Sequence, residues 1–160
     1  MDHPVLIDAR TACDFAAARA LIEEYAAGVG VSLCFQNIAF ELDHLPDVYA
    51  PPDGGLLLAR RQGDHVGCVA FRRFDESACE MKRLFVRPHA RGAAVGRRLA
   101  IAAIERARAR GYQRVVLDTL ISMTAAHSLY RALGFRETAP YYRNPLTDVV
   151  YMELAVMSGR

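Results

Sequence analysis

At 160 residues, 52% hydrophobic and 24% charged, the chain has the composition of an ordinary soluble globular protein and the length of one domain, expected to span residues 1–160. No apolar run approaches the ~20 residues of a membrane span, and the opening Met-Asp-His-Pro lacks the basic and apolar regions of a signal peptide, so a cytoplasmic location is expected. The net charge of +2 hides an asymmetry: residues 81–114 hold ten of the 20 Lys and Arg against one acid, whereas residues 1–80 hold thirteen of the 18 acids.

Pro4 to Asp8 reads as a first strand. Thr11 with Asp14 three residues on resembles a capping box, and Phe15, Ala18, Leu21, Ile22 and Tyr25 follow at helical spacing until Gly28. A shorter helix is expected over Asn37–His44, before Pro46 and the turn-rich Ala50–Gly55. Leu56–Arg60, Val66–Phe74 and Ala78–Arg87 are then three strands joined by short polar turns, as in an antiparallel meander. A central helix carries Val95, Leu99, Ala102 and Ala103 on one side, and Gly111 ends the pattern. Val115–Asp118 has the β-branched character of a buried parallel strand. Ser122–Leu133 is a further helix, closed by Gly134, and Phe135–Thr138 and Val149–Leu154 are the last strands. The order β-α-α-β-β-β-α-β-α-β-β describes an α/β fold with a mixed, mostly antiparallel central sheet and helices on both faces.

The four cysteines, Cys13, Cys34, Cys68 and Cys79, form no Cys-x-x-Cys pair; they are expected to be small core hydrophobes, with neither a metal site nor a disulfide framework. The chemistry concentrates in Glu80–Arg98, a strand, a small-residue turn and a helix start. Such a joint leaves backbone N–H groups pointing one way at the positive end of the helix dipole, which suits a phosphate or pyrophosphate. Arg91, Arg97 and Arg98 add full charges, although an ordinary strand-turn-helix joint with solvated arginines has the same local pattern. Nucleic acid is disfavoured as partner because no stacking aromatics interleave with these arginines.

The turn Arg91-Gly92-Ala93-Ala94-Val95-Gly96 and the segment Leu129-Tyr130-Arg131-Ala132-Leu133-Gly134-Phe135, in this element order, resemble the GNAT acetyltransferase superfamily. Two positions depart from the family pattern. Ala94 stands where the first turn glycine is usual, and a methyl there is costly if φ must be positive. Met123 stands where many members carry an Asn. The resemblance implies acetyl-CoA as cofactor, its pyrophosphate on the amides from Gly92 through Ala93, Ala94, Val95 and Gly96 to Arg97, with Arg91 and Arg97 as charge partners. It implies a bulged fourth strand splayed from the fifth, where main-chain groups of Leu84, Phe85 and Val86 pair with the pantetheine arm. One of those N–H groups, that of Val86, is the expected oxyanion donor.

The same resemblance makes Tyr130 the general acid and Glu80 a base acting through water or with a burial-raised pKa, with His127 as a rival base. Asp118 and Thr119 either line the thiol end or cap the next helix. The acceptor site is expected between residues 28–37 and 140–144, with Phe35, Gln36, Tyr141 and Tyr142 as contacts. Glu23, Glu24, Glu41 and Asp43 lean toward a cationic amine, of a small molecule or a peptide. A homodimer is common among such proteins. An acyl-CoA-binding module without catalysis on the same fold is the alternative activity.

Overall fold

The computed structural model describes residues 3–29, 37–92 and 94–156. Its strands are β1 (Val5–Asp8), β2 (Gly55–Arg61), β3 (Asp64–Arg73), β4 (Ala78–Val86), β5 (Arg114–Leu120), β6 (Arg136–Thr138) and β7 (Val149–Ala155). They form one sheet in the order β1-β2-β3-β4-β5-β7-β6. Neighbours are antiparallel except β4 and β5, which run parallel. The helices are α1 (Ala12–Gly28), α2 (Ile38–Asp43), α3 (Leu45–Val48), α4 (Val95–Ala109) and α5 (Thr124–Ala132). Among the described residues no helix is long and apolar enough to cross a membrane.

The expected order of elements stands, with one addition. The segment around Pro46 forms the short helix α3 instead of a loop. Proline in a first helical turn sacrifices no hydrogen bond, because that N–H has no intrahelical partner anyway. The capping box is formed as expected: Asp14 N–H donates to Thr11 Oγ1 and Thr11 N–H to Asp14 Oδ2, both at 3.1 Å. It fixes the start of α1 and so the direction in which Ala18, Leu21 and Ile22 press on the sheet.

Consecutive leucines Leu56, Leu57 and Leu58 are all buried, because successive side chains of β2 serve opposite faces. Leu56 and Leu58 join Leu21, Ile22, Leu45, Cys68 and Ala70 under α1 and α3. Leu57 joins Val69, Phe71, Met81, Leu99, Ala103, Leu117, Tyr130 and Phe135 on the face covered by α4 and α5. Cys68 and Cys79 are buried as expected, but Cys13 is exposed on α1, and Cys34 lies outside the described residues. Cys13 is the second residue of the helix, ahead of the buried Ala18, Leu21 and Ile22.

Two features of β4 shape everything that follows. Ala70 pairs with Lys82 and Cys68 with Phe85, so β4 spends one residue more than β3 over that interval. The bulge falls at Arg83, whose φ is +61°. It resets the alternation: Met81 and Leu84 pack toward α4, Phe85 toward α1, and Lys82 and Arg83 both remain on the α1 side. Second, β4 and β5 pair only through Ala78–Glu80 and Arg114–Val116. Beyond Glu80 the strands part, while β5 continues to Leu120 paired with β7.

Candidate active site

The turn after β4 runs through a single 3-10 turn (Pro88–Ala90) into Gly92 at φ +93° and Ala94 at φ +57°. Ala94 is therefore left-handed as the turn demands, a conformation costing an L-residue about 1–2 kcal/mol. No side chain caps α4, so its first N–H groups remain available at the positive end of the helix. A Cβ at Gly92 would meet nothing within 4 Å, and one at Gly96 would project to 3.6 Å from Val86 Cγ2 and 3.9 Å from Leu129 Cδ2. The glycines thus keep open the floor of a cavity of about 440 Å³, walled by Leu84, Phe85 and Val86 on one side and by Ala126 and Leu129 of α5 on the other. These residues fit a pyrophosphate and an extended arm running along β4.

Arg91 does not point freely at this floor. Its Nε donates to the Val86 carbonyl at 2.9 Å, and its guanidinium lies 5.9 Å from the Phe85 ring centre. Arg97 makes no side-chain hydrogen bond or ion pair among the described residues. Arg87 N–H donates to Val66 O on β3, so strand alternation turns the Val86 amide the other way, to the open edge of β4. Ala93 lies outside the described residues.

Where β4 and β5 part, a second, smaller cavity of about 90 Å³ is lined by Tyr25, Lys82, Leu84, Asp118, Tyr130 and Asn144, among others. Tyr130 reaches it from α5. Its ring packs edge-on against Phe135 at 5.6 Å, and its hydroxyl has no hydrogen-bond partner among the described residues. Burial pushes its phenol up, so it holds its proton firmly. His127 is anchored elsewhere: its Nε2 lies 2.8 Å from Leu120 O, and because a carbonyl only accepts, Nε2 carries the proton there.

Glu80 sits at the fork, 7% exposed. Tyr141 donates its hydroxyl to Glu80 Oε2 at 2.7 Å, while Arg72 Nε and Lys82 Nζ approach Oε1 at 3.5 and 3.9 Å. Lys82 follows on the same face, two residues along, and its side chain is only 7% exposed. Burial pushes its ammonium down to about 8, against the pull of the Glu80 charge. Across the fork Asp118 accepts from Tyr142 Oη and, at 3.5 Å, from Asn144 Nδ2. Burial raises its carboxyl and the Tyr142 hydrogen bond works the other way. Tyr142 thus serves Asp118, and no helix-capping bond from Asp118 is formed; α5 has no side-chain cap.

From the expected set, Tyr130 lines the small cavity beside Asp118, whereas Glu80 and Tyr142 do not line it: Glu80 is held by Tyr141, and Tyr142 is bound to Asp118. Phe35 and Gln36 lie outside the described residues. The acids near α1 and α2 form ion pairs instead of a free anionic wall. Glu23 and Asp43 bind Arg19, Glu24 binds Arg87, and Glu41 is buried against Arg83. Sequence reasoning missed Lys82 as a cleft residue, counting it with the basic turn. The available signal was its spacing of two from Glu80 on a strand.

The chain matches the model of the Acetyltransferase (GNAT) family over residues 16–135. It is 44% identical over 136 residues to an uncharacterized N-acetyltransferase of Schizosaccharomyces pombe, covering 84% of this chain and 83% of that one. An acetyltransferase structure from Streptococcus agalactiae superposes with a TM-score of 0.80 at 22% identity, covering 96% and 98% of the two chains. A phosphinothricin acetyltransferase from Sinorhizobium meliloti, solved in complex with acetyl-CoA, does so at 0.70 and 18% identity, covering 98% and 90%.

Proposed function

Because this chain belongs to the acetyltransferase (GNAT) family, acyltransferases whose donor is acetyl-CoA, we propose that it acetylates the amine of a small molecule or peptide directly, with Tyr130 as general acid and Glu80 as base. The observation that carries this reading is the Tyr130 hydroxyl: on a buried side chain, firmly protonated and without a hydrogen-bond partner among the described residues, it lines the cavity that opens where β4 leaves β5. Bound acetyl-CoA would supply an acetyl thioester and a thiol leaving group.

The α4 amides beyond Ala94, with Arg97 beside them, would hold its pyrophosphate, and the open edge of β4 would orient its arm. The Val86 N–H, turned to the open edge of β4, would stabilise a developing oxyanion. Glu80 accepts the acceptor's proton through water, since a carboxylate is a weak direct base for an ammonium. Tyr141 fixes the Glu80 carboxylate by occupying Oε2, leaving Oε1 toward Lys82. Tyr130 would supply its proton to the sulfur released as the acetyl group passes to the amine.

The test is Tyr130→Phe, measured by thiol release with a panel of amines and by calorimetric titration with acetyl-CoA. The expected outcome is a loss of turnover of about a hundredfold or more with the affinity for acetyl-CoA nearly intact. Equal loss of both would remove the acid role. Binding of acetyl-CoA without thiol release from any amine by the unaltered protein would make it an acyl-CoA-binding module.

A further inference from the structure

Among the described residues, the Lys82 ammonium is the one charged group of the small cavity whose partners do not match it. Its side chain is 7% exposed, and its nearest anion, Glu80 Oε1, stands at 3.9 Å. That lies outside the 2.7–3.2 Å of an N–H···O hydrogen bond. Glu80 is meanwhile shared with Tyr141 at 2.7 Å and Arg72 at 3.5 Å. Asp118 is engaged by Tyr142 and Asn144, and the adjacent Arg83 by Glu41. The N–H donors of this ammonium, on a side chain that is otherwise buried, thus have no hydrogen-bond partner among the described residues, at the wall of a cavity they share with the candidate acid. Buried charges are ordinarily paired and hydrogen-bonded; what this one lacks is a compact anion with lone pairs directed at it.

The anion cannot be the cofactor's phosphate, because the amides that fit it lie at the far end of β4, beyond Val86. It belongs on the acceptor side, next to two carboxylates, Glu80 and Asp118, that suit an ammonium. A molecule with an amine and a carboxylate a few bonds apart matches both. A peptide N-terminus does not, because its nearest carboxyl is an amide and would leave the ammonium unmatched.

We infer that the acceptor is a free amino acid, its carboxylate bound by Lys82 and its amine held toward Glu80 and Asp118. The inference rests on the N-acetyltransferase reading above and names its substrate class. Lys82 is then a specificity residue: it selects the acceptor and takes no part in proton transfer.

The test is calorimetric titration of the CoA-saturated protein with the twenty common L-amino acids and with their α-carboxamides, in the unaltered protein and in Lys82→Met and Lys82→Arg. At least one amino acid is expected to bind about tenfold or more tightly than its amide, the usual worth of a hydrogen bond to a charged group. Lys82→Met abolishes that preference and leaves CoA affinity unchanged, and Lys82→Arg retains part of it. Amide and acid binding equally well, a preference that survives Lys82→Met, or CoA binding with no amino acid bound each overturn the inference. CoA affinity confirms that each variant is folded. If an amino acid binds with the expected preference but is never acetylated, the carboxylate site stands and the N-acetyltransferase reading fails.

Discussion

Lys82 and Arg83 are neighbours on β4, both cations and both buried, yet their surroundings differ in kind. Arg83 meets Glu41 with two hydrogen bonds, Nε to Oε2 and Nη2 to Oε1, each of 2.9 Å. Burial opposes the charge on both partners, but the mutual hydrogen bonds and attraction outweigh it, so Glu41 is held below and Arg83 above its ordinary range. The pair ties α2 to the bulge of β4, and its charges are spent on each other. Lys82 faces Glu80 without a hydrogen bond, and burial prevails. One residue apart, the chain has built a closed ion pair that holds the fold and an open one beside a cavity. The difference teaches that burial of a charge does not say what the charge is for; the completeness of its hydrogen bonds does.

The comparison breaks first at Arg83. Arg83→Met leaves Glu41 buried and unmatched, with an expected cost of about 3–5 kcal/mol in denaturant unfolding, whereas the double variant with Glu41→Leu recovers much of it. If the double variant were no better than the single one, the pair would not be a coupled unit. The next effect belongs to the open pair. Glu80→Gln is expected to lower kcat by about a hundredfold while stability changes little, as separate kinetic and unfolding measurements would register.

The pH dependence of acceptor binding sharpens the contrast. Affinity for a carboxylate-bearing acceptor should fall about tenfold per pH unit above about 8, as the Lys82 ammonium of the free enzyme loses its proton. The smallest effect lies at the phosphate turn. Ala94 holds φ +57°, so Ala94→Gly is expected to stabilise the protein by about 1 kcal/mol, seen as a higher unfolding midpoint. A lower midpoint would mean that the turn is not strained.

The capping box, the meander and the turn before α4 were legible because each depends on residues close in sequence. The same holds for the parallel β5, whose Val115, Val116 and Leu117 are all buried, as a strand covered on both faces requires. The bulge was not legible from the residues themselves. Nothing in Met81-Lys82-Arg83-Leu84 announces that two consecutive side chains share a face, and only the resemblance implied it. The Glu41–Arg83 pair joins residues 42 positions apart, so no local pattern carries it, and Glu41 was grouped with the acids expected to favour a cationic amine. Tyr141 could be placed near the acceptor but not on Glu80, since that hydrogen bond spans 61 positions and depends on how the loop before β7 folds over the fork. Glu80 and Tyr130 were proposed from motif spacing. Lys82 escaped because its charge was counted with the phosphate turn instead of being placed by strand alternation.

The measurement that tests this contrast most directly is the pH-resolved unfolding free energy of Lys82→Met beside that of Arg83→Met. The Lys82 ammonium is pushed from 10.5 down to about 8 in the folded protein. Between those values the unfolded chain binds more protons than the folded one, so this group makes stability rise with pH there; below about 8 its cost is fully present. Lys82→Met is therefore expected to stabilise the protein at pH 7, by roughly 3 kcal/mol, with the gain fading as pH approaches 10.5. Arg83→Met destabilises at both ends of that range. Destabilisation by both variants at pH 7 would contradict the account, because Lys82 would then be a structural partner of Glu80 and not a cation held ready for a ligand.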